Sequence, residues 1–166
     1  MATLQFPLSE SITDMLNKKA AEELCASQIY LAASFWFKNH NYDGISSYLE
    51  KESLSEREHA LKIFSYIQKR GGMATTQAIP AVDVNGWKKP SDVMKSLLQQ
   101  EIQVAESLKS LSSAATEAND HMTVSMLHEF HVLQTEEIDE MTKLYTKTQA
   151  YEALPGLMYH LDAELS

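Results

Sequence analysis

Glu56-Arg57-Glu58-His59 is an E-x-x-H motif. On a helix its first and last residues lie one turn apart on one face, so a carboxylate and an imidazole can bind one cation together. The motif arises often by chance, and its weight depends on what stands at the same level of the fold. Glu23, Glu101 and Glu137 are further acidic residues at matching depth in other segments, and Gln134 lies one turn before Glu137. Several carboxylates with one imidazole suit iron, manganese or zinc, whereas thiolates would have pointed to zinc or iron–sulfur clusters. Cys25 is the only cysteine, which excludes an intramolecular disulfide and a CxxC module.

These residues interrupt apolar stripes. The inward face of the first segment reads Ile12, Leu16, Ala20, Glu23, Ser27, Tyr30, and that of the second Ile45, Leu49, Glu52, Glu56, His59, Ile63, Tyr66. The third reads Val93, Leu97, Glu101, Val104, Leu108, Leu111, and the fourth Met126, Phe130, Gln134, Glu137, Met141, Leu144. Steps of three or four residues place each set on one helical face. An ionised carboxylate is prohibitive to bury without compensation. None of the four stripes contains Lys or Arg, so ion pairing is not expected and a bound cation is. Each interruption falls near mid-helix, and midpoints coincide in a bundle whichever way its helices run. Five or six acceptor groups are therefore expected in one layer.

The elements that must hold this layer are five helices with no convincing strand. Pro7 and Ser9 open the first, which runs to about Lys38 before Asn39-His40-Asn41. Asp43 is the expected N-cap of the second, and Gly71-Gly72 ends it. Ser91 is the expected cap of a third that lasts to about Ala118, and Asn119-Asp120 turns into a fourth from about His121 to Gln149. Pro155-Gly156 precedes a short fifth, Leu157 to Leu165. Short links make helices one and two, and three and four, antiparallel neighbours. The link from Gly71 to about Pro90 has no helical period, and its length requires a crossover along the bundle. The expected fold is thus all-α: a four-helix bundle of roughly 40 Å, with one long crossover and a short C-terminal helix, over a single domain 1–166.

Composition agrees. A chain of 166 residues with 44% hydrophobic residues suits one globular domain. A net charge of −9 argues against nucleic acid as a partner and fits a protein that attracts cations. No apolar run approaches the roughly 18 residues of a membrane span. The segment Met1-Ala-Thr-Leu-Gln-Phe-Pro-Leu lacks the basic start and apolar stretch of a secretory signal, so the cytoplasm, or an organelle interior after removal of a transit peptide, is expected. Glu52 and Glu58 read as solvated or facing an internal cavity. His40, His121, His128, His131 and His160 read as surface or turn residues, and Cys25 as structural.

Glu22-Glu23-Leu-Cys-Ala-Ser-Gln-Ile-Tyr30-Leu resembles the first-helix segment of ferritins, in which a ligand Glu precedes a Tyr by seven residues. Ser55-Glu56-Arg57-Glu58-His59-Ala60, followed by Lys69-Arg70-Gly71-Gly72, is similar to the second helix of catalytic animal chains, and Gln100-Glu101 and Gln134-Thr-Glu-Glu137 resemble the remaining ferroxidase positions. The likeness covers nearly the whole chain. It implies that Glu23, Glu56 and His59 hold a first iron, that Glu56 and Glu101 hold a second, and that Glu56 bridges them. Glu137 would supply the further carboxylate of bacterial-type ferritins and Gln134 a nearby hydrogen-bonding amide, which puts both among the metal-site residues; the plainer reading of Gln134 is a hydrogen bond to Glu137 and nothing more. Tyr30 is either an ordinary core tyrosine or an extra electron donor. The implied activity is a ferroxidase: Fe(II) oxidised by O2 or H2O2 at a di-iron centre, then stored as mineral. The fifth helix implies a 24-subunit homo-oligomeric cage.

Departures from the family pattern matter as well. Arg57 stands where haem-binding relatives carry an axial Met, so no haem is expected. Ser55 and Leu133 fall where two glutamates of a third iron position belong. The acidic lining of the three-fold channel would land near Val124 and Leu127. Rival readings are a non-catalytic cage subunit, opposed by the complete ligand set, and a di-iron oxygenase, opposed by the lack of room for an electron-transfer module.

Overall fold

The computed structural model describes residues 6–166, so the reading of the N-terminus at Met1 to Gln5 lies outside it. The helices are α1 (Glu10–Asn39), α2 (Asp43–Lys69), α3 (Pro90–Glu117), α4 (His121–Glu152) and α5 (Leu157–Leu165). The all-α bundle with one crossover and a short fifth helix is therefore the architecture of the chain, and no strand occurs among the described residues. No helix of the described residues is long and apolar enough to cross a membrane.

The caps explain where the helices begin. Ser9 Oγ accepts from the Ile12 N–H at 3.2 Å, and Asp120 Oδ1 accepts from the Thr123 N–H at 3.1 Å. Two expected caps are corrected. Asp43 is the first residue of α2 rather than its cap; it pairs with Lys38 at 2.8 Å, and its charge favours the positive helix end. α3 starts at Pro90 with Lys89 as its cap, two residues earlier than a cap at Ser91 implied, because proline has no N–H to lose and a φ already suited to a first turn. Asp92 Oδ2 accepts from the N–H groups of Lys88 and Lys89 there, and Ser91 Oγ donates instead to Glu152 Oε1 at 2.6 Å. At the other ends, Asn41 (φ 62°), Gly71 (φ 75°) and Asn119 (φ 55°) take the left-handed conformation that terminates α1, α2 and α3.

The crossover from residue 70 to 89 runs the length of α1. Asn17 donates to the Met73 carbonyl at 2.9 Å and accepts from the Thr75 N–H at 2.8 Å. Further along, Gln28 donates to the Pro80 carbonyl at 3.0 Å, and Trp36 Nε1 donates to the Trp87 carbonyl at 3.3 Å. Rising order along both segments means that the chain returns to the start of α2 before α3 begins, so α3 runs parallel to α2. Without secondary structure of its own, the segment gives its backbone groups these side-chain partners instead.

The core is two apolar clusters. One gathers Tyr30, Phe37, Ile45, Leu49, Trp87, Met94, Leu97 and Met141, and the other Leu16, Ala20, Ala60, Ile63, Ile67, Leu108, Leu111 and Leu127. Between them lies a layer that neither contains. α5 closes the first cluster with Met158 and Leu161, and Asp162 Oδ1 accepts from the Ile45 N–H at 2.8 Å. Gly44 permits that contact, because a Cβ there would fall 2.0 Å from the Asp162 carbonyl oxygen.

Candidate metal centre

The layer between the two clusters is where the mid-helix polar residues meet. Glu23 comes from α1, Glu56 and His59 from α2, Glu101 from α3, and Gln134 and Glu137 from α4. Glu23, Glu56 and Glu101 are only 2%, 2% and 1% exposed. His59 and Glu137 lie at the margin, half-buried. One ligand atom each from Glu23, Glu56 and His59 lie within 4.8 Å of one another, and the same holds for Glu56, Glu101 and Glu137. Glu56 belongs to both groups. Two cations sharing one carboxylate is the arrangement such overlapping triads can hold. A buried donor set of carboxylate oxygens and one imidazole nitrogen fits iron, manganese or zinc.

Hydrogen bonds fix the candidate ligands from outside. Tyr30 Oη donates to Glu101 Oε1 at 2.6 Å, and Gln134 Nε2 donates to Glu101 Oε2 at 2.7 Å and to the Glu101 carbonyl at 3.2 Å. The expectation that Gln134 bonds Glu137 is therefore corrected. α3 packs directly on α4, which brings the Gln134 amide to Glu101 across that interface, whereas Glu137 sits at the margin. His59 Nδ1 lies 3.2 Å from Glu56 Oε2 and 3.9 Å from Glu137 Oε1, and its Nε2 lies 3.5 Å from Ser55 Oγ.

Burial and mutual repulsion set the protonation of the cluster. Burial, then the Glu101 and Glu23 carboxylates, push Glu56 far above the ordinary carboxyl range. Burial raises Glu101 despite the donors Tyr30 and Gln134. Glu137 is pushed up to about 9 by burial and by Glu56 and Glu101. Tyr30 is held well above its usual value by burial and by Glu101, so its phenol keeps its proton. Without a cation, the cluster keeps protons that a cation would displace.

Lys19 was missed. The expectation that no cation from the chain reaches these stripes is wrong: Lys19 is 1% exposed, and its Nζ lies 2.6 Å from Glu23 Oε1. A stripe drawn in steps from Leu16 to Ala20 to Glu23 passes beside Lys19, but a spacing of four residues puts Lys19 and Glu23 almost in line on the helix. The one available signal was that spacing, in Lys19-Ala-Ala-Glu22-Glu23. Glu52 is half-buried, its carboxyl raised by burial and by Glu140 and Glu101. Burial and Glu52 likewise push Tyr48 upward, and sequence singled out neither Tyr48 nor Glu140.

The remaining named positions lie away from the layer. Glu58 and Arg57 are exposed. Leu133 and His59 border a cavity of about 30 Å³ with Lys62, Glu129 and Phe130. Leu127, placed by resemblance on a channel lining, is 1% exposed and belongs to the second apolar cluster, so in this chain it is a core residue. His131 Nε2 lies 2.6 Å from Ser112 Oγ at the surface side of α3 and α4.

Residues 13–150 match the Ferritin family, described as the ferritin-like domain. A bacterial non-heme ferritin of Bacteroides fragilis (strain 638R) is 31% identical over 130 residues, covering 78% of this chain and 81% of the relative. A ferritin of the crayfish Pacifastacus leniusculus is 32% identical over 135 residues, covering 80% and 75%. Among solved structures, the apo-ferritin of Pseudo-nitzschia multiseries superimposes with a TM-score of 0.90 at 35% identity, covering 93% of this chain and 98% of that one. An iron-soaked crystal of a PmFTN variant gives 0.92 at 34% identity, with 95% and 100% covered.

Proposed function

Since the chain belongs to the ferritin family and its function is iron storage, we propose that each subunit also performs the oxidation, converting Fe(II) to Fe(III) at a di-iron centre within its own bundle. Proteins of this family assemble into homo-oligomeric cages, and here the cage is proposed to hold 24 copies with the ferric mineral inside. The observation that carries the reading is the membership of Glu56 in both ligand groups. Two Fe(II) ions held on either side of one carboxylate can each give one electron to the same oxidant. With O2 and two protons, the products are two Fe(III) and H2O2.

The chain's own residues have defined parts in this. Glu23, Glu56 and His59 bind the first Fe(II), and Glu56, Glu101 and Glu137 the second. Neighbouring carboxylates raise one another's energy while empty, so a dication is drawn in and protons leave. The harder Fe(III) product gains more than Fe(II) from the same oxygen ligands, which favours oxidation. Gln134 and Tyr30 hold Glu101 from behind through its two oxygens. Tyr30 also stands ready as a third electron source, with Glu101 Oε1 at 2.6 Å to take its phenolic proton.

Aerobic addition of Fe(II), followed by ferric absorbance, tests this directly. The unsubstituted chain is expected to oxidise iron far faster than buffer, and Glu56→Ala to fall to the buffer rate. A parent rate no faster than buffer would leave a storage subunit without its own oxidation centre, the rival reading, and equally fast rates for the two chains would put the oxidation away from Glu56.

A further inference from the structure

Lys19 is among the largest fully buried side chains, and the oxidation chemistry above makes no use of it. Among the described residues its Nζ has two polar partners: Glu23 Oε1 at 2.6 Å and, more distantly, the Val104 carbonyl at 3.5 Å. Taking an ammonium out of water is costly, and only a close countercharge makes it tolerable. Here the countercharge is a carboxylate that belongs to one of the two cation-binding groups. Three further titratable groups lie close enough to feel the ammonium: the Glu56 and Glu101 carboxyls in the layer, and the His131 imidazole from α4.

We propose that Lys19 is an internal counter-cation that makes the two metal positions unequal. It occupies one oxygen of Glu23 in the metal-free chain, so a dication binding at Glu23, Glu56 and His59 must displace the ammonium or share the carboxylate with it. At the position of Glu56, Glu101 and Glu137 no ammonium or guanidinium of the described residues lies within hydrogen-bond distance; the donors on Glu101 are the neutral Tyr30 and Gln134 side chains. That position fills first, and the Glu23 position fills second and more weakly. The inference rests on the two-position reading above and adds the order in which the positions fill.

The test is an anaerobic titration of the metal-free protein with Co(II), which is not oxidised, read by calorimetry and by the visible absorption of the bound ion. The unsubstituted chain is expected to bind two Co(II) in unequal steps. Lys19→Met and Lys19→Gln remove the charge at similar length, and in them the weaker step is expected to tighten by about tenfold or more, the stronger step moving less. Lys19→Arg keeps a charge and is expected to keep unequal steps. Both neutral variants are also expected to melt at lower temperature than the parent when metal-free and to recover the loss on Co(II) loading. An unchanged or weakened second step in a neutral variant would overturn the proposal, as would equal steps in Lys19→Arg. Should a neutral variant fail to fold without metal, the Arg variant and the parent's two steps decide. A parent that binds no Co(II) in the bundle would instead overturn the metal-centre reading on which this one stands.

Discussion

Glu56 is a group in conflict with its surroundings: it is buried against two other carboxylates and held far above the usual carboxyl range. A group so placed costs stability, and in the proposed centre it is the carboxylate that both irons share. Glu56→Gln keeps its shape and removes its charge, so the metal-free variant is expected to melt higher than the parent while losing Fe(II) oxidation. A lower melting temperature would mean that Glu56 is held by partners of its own. Tyr30→Phe separates the two readings of that residue. If Tyr30 supplies an electron, rapid-mix oxidation slows and any tyrosyl radical signal disappears; unchanged kinetics and signal would leave Tyr30 a core residue that orients Glu101. At this scale the sequence was legible wherever a carboxylate stood on an apolar stripe, as at Glu23, Glu56 and Glu101. Lys19 was legible only through its four-residue spacing from Glu23, because its long stem reaches the layer from the flank of the stripe. The partner of Gln134 was not legible, since periodicity assigns a face and not the neighbour across it.

Among the elements, the helices were readable almost to their ends, for Asn41, Gly71 and Asn119 are residues that accept a left-handed conformation. The starts were less so: Asp43 and Ser91 both have capping side chains, and each spends its side chain on another partner. The crossover was inferred from length alone, while its route depends on Asn17, Gln28 and Trp36, whose polar atoms carry no periodic signal. α5 docks through a contact that sequence does not reveal, the approach of Gly44 to the Asp162 carbonyl. Gly44→Ala must push α5 away from α2 and loosen the Ile45–Asp162 bond. The variant is expected to keep its helical circular dichroism and its Fe(II) oxidation, with α5 amides exchanging hydrogen faster. Unaltered exchange in α5 would show that the helix is held from elsewhere.

For the whole molecule, the decisive feature is an apolar core cut in two by an acidic layer. Its consequence is a dependence of stability on pH. Glu56, Glu101 and Glu137 all bind protons more tightly folded than unfolded. Their contribution is complete below the unfolded carboxyl value of about 4.3 and is lost as pH rises towards the folded values. With Glu137 pushed up to about 9, the metal-free chain is expected to melt at falling temperature across the neutral range up to that pH. Cation loading should flatten the curve and release protons, measurable in weakly buffered solution. A metal-free melting temperature that rises through the same range would mean that the layer is ionised and compensated without metal. Everything proposed for the chain depends on that layer holding two ions together. The most direct measurement is a crystal soaked anaerobically in Fe(II), with anomalous diffraction recorded at the iron edge. Two peaks inside each bundle are expected, flanking Glu56, one against Glu23 and His59 and the other against Glu101 and Glu137. Iron found only on the outer surface, with no peak between the two apolar clusters, would contradict it.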